Sequence, residues 1–127
     1  MSLAIACVLI AGLLPLAGTA AAKWGFQRYD NNNPREWLAQ QTGLRARGNA
    51  AQANGFEAFP FFASGVALAL IAGADAAAID RYAVLFVLAR LAYTVAYLMD
   101  KATLRSLCWL VGILSVVALH VHALMAA

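Results

Sequence analysis

Between Met1 and Ala22 the chain carries no charged side chain. As a helix rising about 1.5 Å per residue, such a run reaches roughly 33 Å and crosses the ~30 Å hydrocarbon core of a bilayer. Three further apolar stretches follow, at about residues 45–74, 82–99 and 106–125. With 64% apolar and 12% charged residues and a mean hydropathy of +0.74, the chain has too little polar surface to face water; soluble domains are about 25% charged. The reading is an all-α polytopic membrane protein, a four-transmembrane-helix bundle forming a single domain over residues 1–127. The net charge of +3 is a matter of topology, because no basic run interleaved with aromatics points to nucleic acid.

Pro15 is tolerable in a membrane helix where neighbours satisfy the freed carbonyl. A cleaved leader is the competing reading of residues 1–22: the small-residue run Ala17–Ala22 favours it, and the lack of any Lys or Arg before the apolar run opposes it. From Lys23 to Leu44 the chain turns polar. Asn33 followed by Pro34 and Glu36 is a capping-box arrangement and predicts a short helix from Pro34 to Gln41, stopped at Gly43. Trp24, Phe26, Tyr29 and Trp37 read as interfacial anchors. Short links are expected at 75–81 and 100–105.

Lys23, Arg28, Arg35, Arg45, Arg47, Lys101 and Arg105 fall in the first and third loops or at their edges, against Arg81 in the middle one. The positive-inside rule therefore puts those two loops in the cytoplasm and both termini outside. Cys7 and Cys108 lie at opposite depths, too far apart for a disulfide, and read as packing residues.

Arg90 sits within the third span, where a charge costs at least ~2.5 kcal/mol in lipid. Tyr93 and Tyr97 share its helical face. In the second span Arg47, Asn54 and Glu57 form a comparable stripe, and Pro60 frees the Phe56 carbonyl. Glu57 is expected to pair with Arg90 or with an arginine of a neighbouring subunit. One reading of these groups is architectural, a buried pair holding helices in register. The other is a polar cleft open to the cytoplasm, lined by Arg47, Asn54, Glu57, Tyr93, Tyr97 and Arg105, whose guanidiniums suit a small anion and favour a thiolate on it. His120 and His122 are two residues apart, point away from each other on a helix, and predict no metal site. Neither a CxxC, a glycine-rich phosphate loop nor a well-placed hydroxyl–histidine pair is evident.

Asn54-Gly55-Phe56-Glu57-Ala58-Phe59-Pro60 resembles the Asn-x-x-Glu-x-x-Pro of the second span in the MAPEG family, the membrane-associated proteins in eicosanoid and glutathione metabolism. The segment from Ala89 to Tyr97, with Leu104-Arg105-Ser106 after it, is similar to the family's third-span tyrosine pair and the arginine entering the fourth span. The resemblance covers nearly the whole chain. It implies a homotrimer in the inner membrane, with glutathione as co-substrate held between subunits near the cytoplasmic surface and a lipophilic electrophile arriving from lipid. Carried over by position, Asn54, Glu57, Arg90 and Tyr93 would bind glutathione with Arg47, and Arg105 with Tyr97 would stabilise its thiolate in a transferase or peroxidase. Where glutathione-using members commonly carry an arginine followed by Ala-His, this sequence has Ala50, Ala51 and Gln52. A non-catalytic protein of the same fold is the alternative, marked by a cleft filled with its own side chains. A small multidrug exporter would resemble its family by a glutamate in the first span, which is absent here.

Overall fold

The computed structural model describes residues 2–26 and 28–127, and the side chains of these except Ser2 and Phe26. Among them every regular element is helical: α1 (Ser2–Leu13), α2 (Pro15–Ala22), a 3-10 turn at Trp24–Phe26, α3 (Pro34–Ala39), α4 (Gly43–Ile71), α5 (Ala76–Leu98) and α6 (Ala102–Ala126). Four segments are long and apolar enough to cross a membrane: α1 with α2, then α4, α5 and α6. Leu14 keeps helical dihedrals between α1 and α2, so Pro15 breaks the hydrogen-bond ladder without ending the rod. These first helices belong to the bundle: Ala4, Cys7 and Ala11 are buried in the core shared by α4, α5 and α6.

α5 and α6 run longer than the charge pattern predicts, whereas α4 keeps about its expected length but is shifted to 43–71 from the expected 45–74, with Gly43 opening it. α5 begins at Ala76 because the Asp75 carboxylate accepts from the Ala78 amide at 2.9 Å, and three alanines follow. Asp80, expected in a link, is therefore helical, and it accepts from the Ala4 amide at 2.9 Å, satisfying a free donor at the start of α1. α6 likewise starts at Ala102 rather than near Ser106. Conversely α3 ends at Ala39, where the Gln41 side chain donates to the Trp37 carbonyl at 2.8 Å. The capping box does not form, because the Asn33 side chain donates to Asp30 (3.1 Å) instead of closing over α3.

Two helix junctions at opposite ends of the bundle use one device. After α4, the amides of Gly73 and Ala74 return to Leu70 and Ala69; after α5, those of Asp100 and Lys101 return to Tyr97 and Ala96. Both are Schellman closures, with the left-handed residue being Gly73 (φ 73°) in one and Asp100 (φ 58°) in the other.

α2 and α4 meet backbone to backbone. A Cβ on Gly48 would stand 2.6 Å from the Ala22 nitrogen, and one on Gly18 would stand 2.7 Å from the Gly48 carbonyl oxygen. Small residues permit this approach, which replaces a hydrophobic drive that lipid does not supply. Toward the far end, Phe62 of α4 stacks on Phe86 of α5 at 4.0 Å. His120 of α6 packs on α4: its Nδ1 donates to the Val116 carbonyl (2.9 Å), its ring stacks on Phe61, and Nε2 lies 3.5 Å from Ser64 Oγ. The sequence shows no well-placed hydroxyl–histidine pair; helix crossing, invisible in spacing, brings these two side chains into contact. Ser64 also donates to Phe61 at 3.0 Å, which makes the contact a packing lock. His122 turns instead to Tyr82 of α5. Of the four loop aromatics, Trp24 is 72% exposed, as an anchor would be, whereas Trp37 is buried edge-on against Tyr29 at 5.1 Å.

Candidate functional site

α4, α5 and α6 enclose a crevice of about 260 Å³. Its polar wall is Asn54 and Glu57, one helical turn apart on α4, and Arg90 of α5; its apolar wall includes Phe61, Phe86 and Trp109. Gly112 of α6 faces Arg90 and Phe86 at ordinary contact distance, and its missing side chain leaves room in the crevice. The Asn54 Oδ1 atom is buried and accepts no hydrogen bond. A buried acceptor left unpaired costs about 1–3 kcal/mol, so it is a place where a donor from outside is welcome.

Arg90 is 5% exposed. Of the two partners expected for Glu57, Arg90 or an arginine of a neighbouring subunit, Arg90 forms no ion pair with it within the chain, although both line the crevice. The guanidinium instead lies 4.0 Å over the Tyr93 ring. The reason is local: Tyr93 follows one turn later on the same face and offers its π-cloud without a change of helix. The chain of contacts continues, with Tyr93 edge-on to Tyr97 at 5.6 Å and Arg105 of α6 4.4 Å over the Tyr97 ring. Arg90, Tyr93, Tyr97 and Arg105 thus form a ladder from the buried interior, where Tyr93 is also 5% exposed, to the half-buried loop end of α5 and α6.

Arg47 stands apart from the crevice. Its Nε donates to the Leu98 carbonyl at 3.2 Å, closing one of the free acceptors in the last turn of α5. The single cleft expected from the sequence is therefore resolved into a crevice holding Asn54, Glu57 and Arg90 and a ladder carrying Tyr93, Tyr97 and Arg105, with Arg90 common to both. Glu57 lies on the exposed stripe of α4 that also carries Ala53, Phe56, Phe61 and Ser64.

The profile of the MAPEG family matches residues 3–125, almost the full length of the helical bundle. The chain belongs to the MAPEG family. A comparison with curated proteins gave no match. As a MAPEG protein it is an integral, multi-pass membrane protein, and its family includes glutathione transferases and peroxidases as well as non-catalytic members. In this MAPEG chain, sequence reasoning missed the apolar wall. Phe86 lies four residues before Arg90, and Trp109, Gly112 and Val116 recur at helical spacing on α6, so a search along the Arg90 face would have found the first.

Proposed function

We propose that this MAPEG chain is a glutathione-dependent transferase or peroxidase for lipophilic electrophiles, working as a homotrimer in an inner membrane with its basic loops toward the cytoplasm. The observation that carries the reading is the Arg90–Tyr93–Tyr97–Arg105 ladder, which runs beside an open crevice from the loop end into the bundle. Glutathione brings two carboxylates, an ammonium group, peptide N–H donors and a thiol. Arg90 supplies charge for a carboxylate, Glu57 meets the ammonium, and the orphaned Asn54 oxygen accepts a peptide N–H, whereas Arg47, held on the Leu98 carbonyl outside the crevice, would reach the second carboxylate only by leaving that bond. Tyr93 lines the site. Arg105 and the Tyr97 hydroxyl at the wetter end favour the thiolate, whose proton leaves to water.

The sulfur then attacks an electrophilic carbon, expelling its leaving group, or the outer oxygen of a hydroperoxide, breaking the O–O bond so that the alkoxide leaves and takes a proton from water as the alcohol, and giving a sulfenic acid that a second glutathione converts to disulfide and water. The apolar wall of Phe61, Phe86 and Trp109 suits a partner that arrives from lipid. Trimer assembly is supported by Glu57. It is exposed on the single chain yet lies about 21 Å along α4 from Ile71, inside the hydrocarbon depth, where an uncovered carboxylate costs at least ~2.5 kcal/mol.

Mixing the purified protein with millimolar glutathione should produce the ultraviolet absorbance of a thiolate. Arg105→Ala should abolish that signal while size-exclusion behaviour stays unchanged. A non-catalytic role is the second reading, favoured by the lack of a basic side chain at Ala50 and Gln52. Absence of both a thiolate signal and calorimetric binding would decide for it.

A further inference from the structure

The Lys23–Thr42 loop and the start of α4 carry a site that the proposed chemistry does not use. Arg28, Trp37, Gln40, Gln41 and Arg45 line a polar bowl of about 760 Å³. Just beside it, Leu16, Thr19, Ala20 and Trp24 line a mostly apolar groove of about 600 Å³ along the outer face of α2. The two are joined through one guanidinium, since Arg45 of the bowl donates from Nη2 to the carbonyl of Trp24, a groove residue, at 2.9 Å.

Helix lengths set the level of this pair. α4 has 29 residues and is about 43 Å long, some 13 Å more than the hydrocarbon core. Counting from Ile71, the apolar depth is used up near Ala51, and the close contact of Gly48 with Ala22 marks the same level as the end of α2. Arg45 stands one to two turns beyond, in the headgroup layer, and the α2 groove lies below it among acyl chains. Charge selects the occupant. Lys23, Arg28, Arg35, Arg45 and Arg47 oppose only Asp30 and Glu36, and Asp30 is already engaged by Asn32 and Asn33. Arg28 makes no hydrogen bond or ion pair with any described residue, so its donors are unspent.

We propose that this bowl and groove bind an anionic phospholipid of the adjoining leaflet, its phosphate held by Arg28 and Arg45 and one acyl chain lying against Leu16, Thr19 and Ala20. Guanidinium donors form charge-assisted, paired hydrogen bonds to a phosphodiester, and basic groups at this level attract anionic lipid. The groove distinguishes a lipid from free phosphate, because only the lipid has chains to fill it.

The test uses the protein in neutral detergent, titrated with short-chain phosphatidylglycerol, the matching phosphatidylcholine, or inorganic phosphate. Thermal stability is followed, and quenching of Trp24 fluorescence by a brominated chain is the second readout, in a chain with Trp37 and Trp109 changed to phenylalanine. Phosphatidylglycerol should raise the melting temperature saturably and quench Trp24; the other two should do neither at equal concentration. Arg28→Gln, which removes no internal contact, should weaken half-saturation by tenfold or more, with Arg28→Lys losing less. Ala20→Phe should remove the lipid response by filling the groove. An equal response to phosphatidylcholine, an equal response to phosphate, or an unchanged Arg28→Gln titration would each overturn the proposal.

Discussion

At Asp100 the closure of α5 forces a residue with a Cβ into left-handed backbone, φ 58°, while Gly73 meets the same demand after α4 without strain. Asp100→Gly should therefore stabilise the protein by about 0.5–1 kcal/mol, and Gly73→Ala should cost about 1 kcal/mol. Nothing lies within 4 Å of a Cβ placed on Gly73, so the second effect is purely conformational. Thermal melts in one detergent compare the two variants directly. Asp30 makes a pH prediction. Its carboxyl is held below the usual carboxylate value by the Asn33 side chain and the Asn32 amide. A depressed folded pKa means that the interaction is intact above the unfolded value of about 3.9 and is lost as pH falls through the folded one. Acidification into that range should release Asn33, visible as joint NMR shifts of the Asn32 amide and the first turn of α3.

Among the elements, the α2–α4 contact tolerates least. Gly48→Val would drive a branched side chain into the α2 backbone at Ala22, with no flexible group able to yield. The expected loss is about 3 kcal/mol, at the upper end of overpacking costs, and should show as a lower melting temperature and faster proteolysis. Gly112→Ala is the control: its Cβ would meet Arg90, Phe86 and Ala89 at 3.8–3.9 Å, so stability should change by less than about 1 kcal/mol. The spans were legible because charges are absent where lipid is, but their ends were not. Asp75 and three alanines extend α5 past the charged Asp80 and Arg81, since a helix can begin on polar residues wherever a cap and good propensity allow.

For the whole molecule, the α4 stripe bearing Glu57 and the crevice behind it give separate expectations. In a chain with Cys7 and Cys108 replaced, Ala53→Cys on that stripe should cross-link two copies on oxidation, whereas Leu85→Cys on α5 should not; the reverse would place the subunit contact elsewhere. Gly112→Phe should fill the crevice and lower glutathione affinity at least tenfold with Arg105 untouched, measured by calorimetry.

The amino-acid order by itself determined that this is a bundle of four apolar helices and that Arg90, Tyr93 and Tyr97 share a face, because both follow from the absence of charge and the 3.6-residue period. It also put Asn54 and Glu57 one turn apart. Only the tertiary structure decided neighbours: Arg90 over Tyr93 rather than paired with Glu57, Arg47 on the end of α5, and Ser64 beside His120. The physical reason is that a periodic pattern fixes which way a side chain leaves its own helix, while its partner depends on how closely, and at what level, a second helix packs. Here backbone contact at Gly18 and Gly48 sets that packing for α2 against α4.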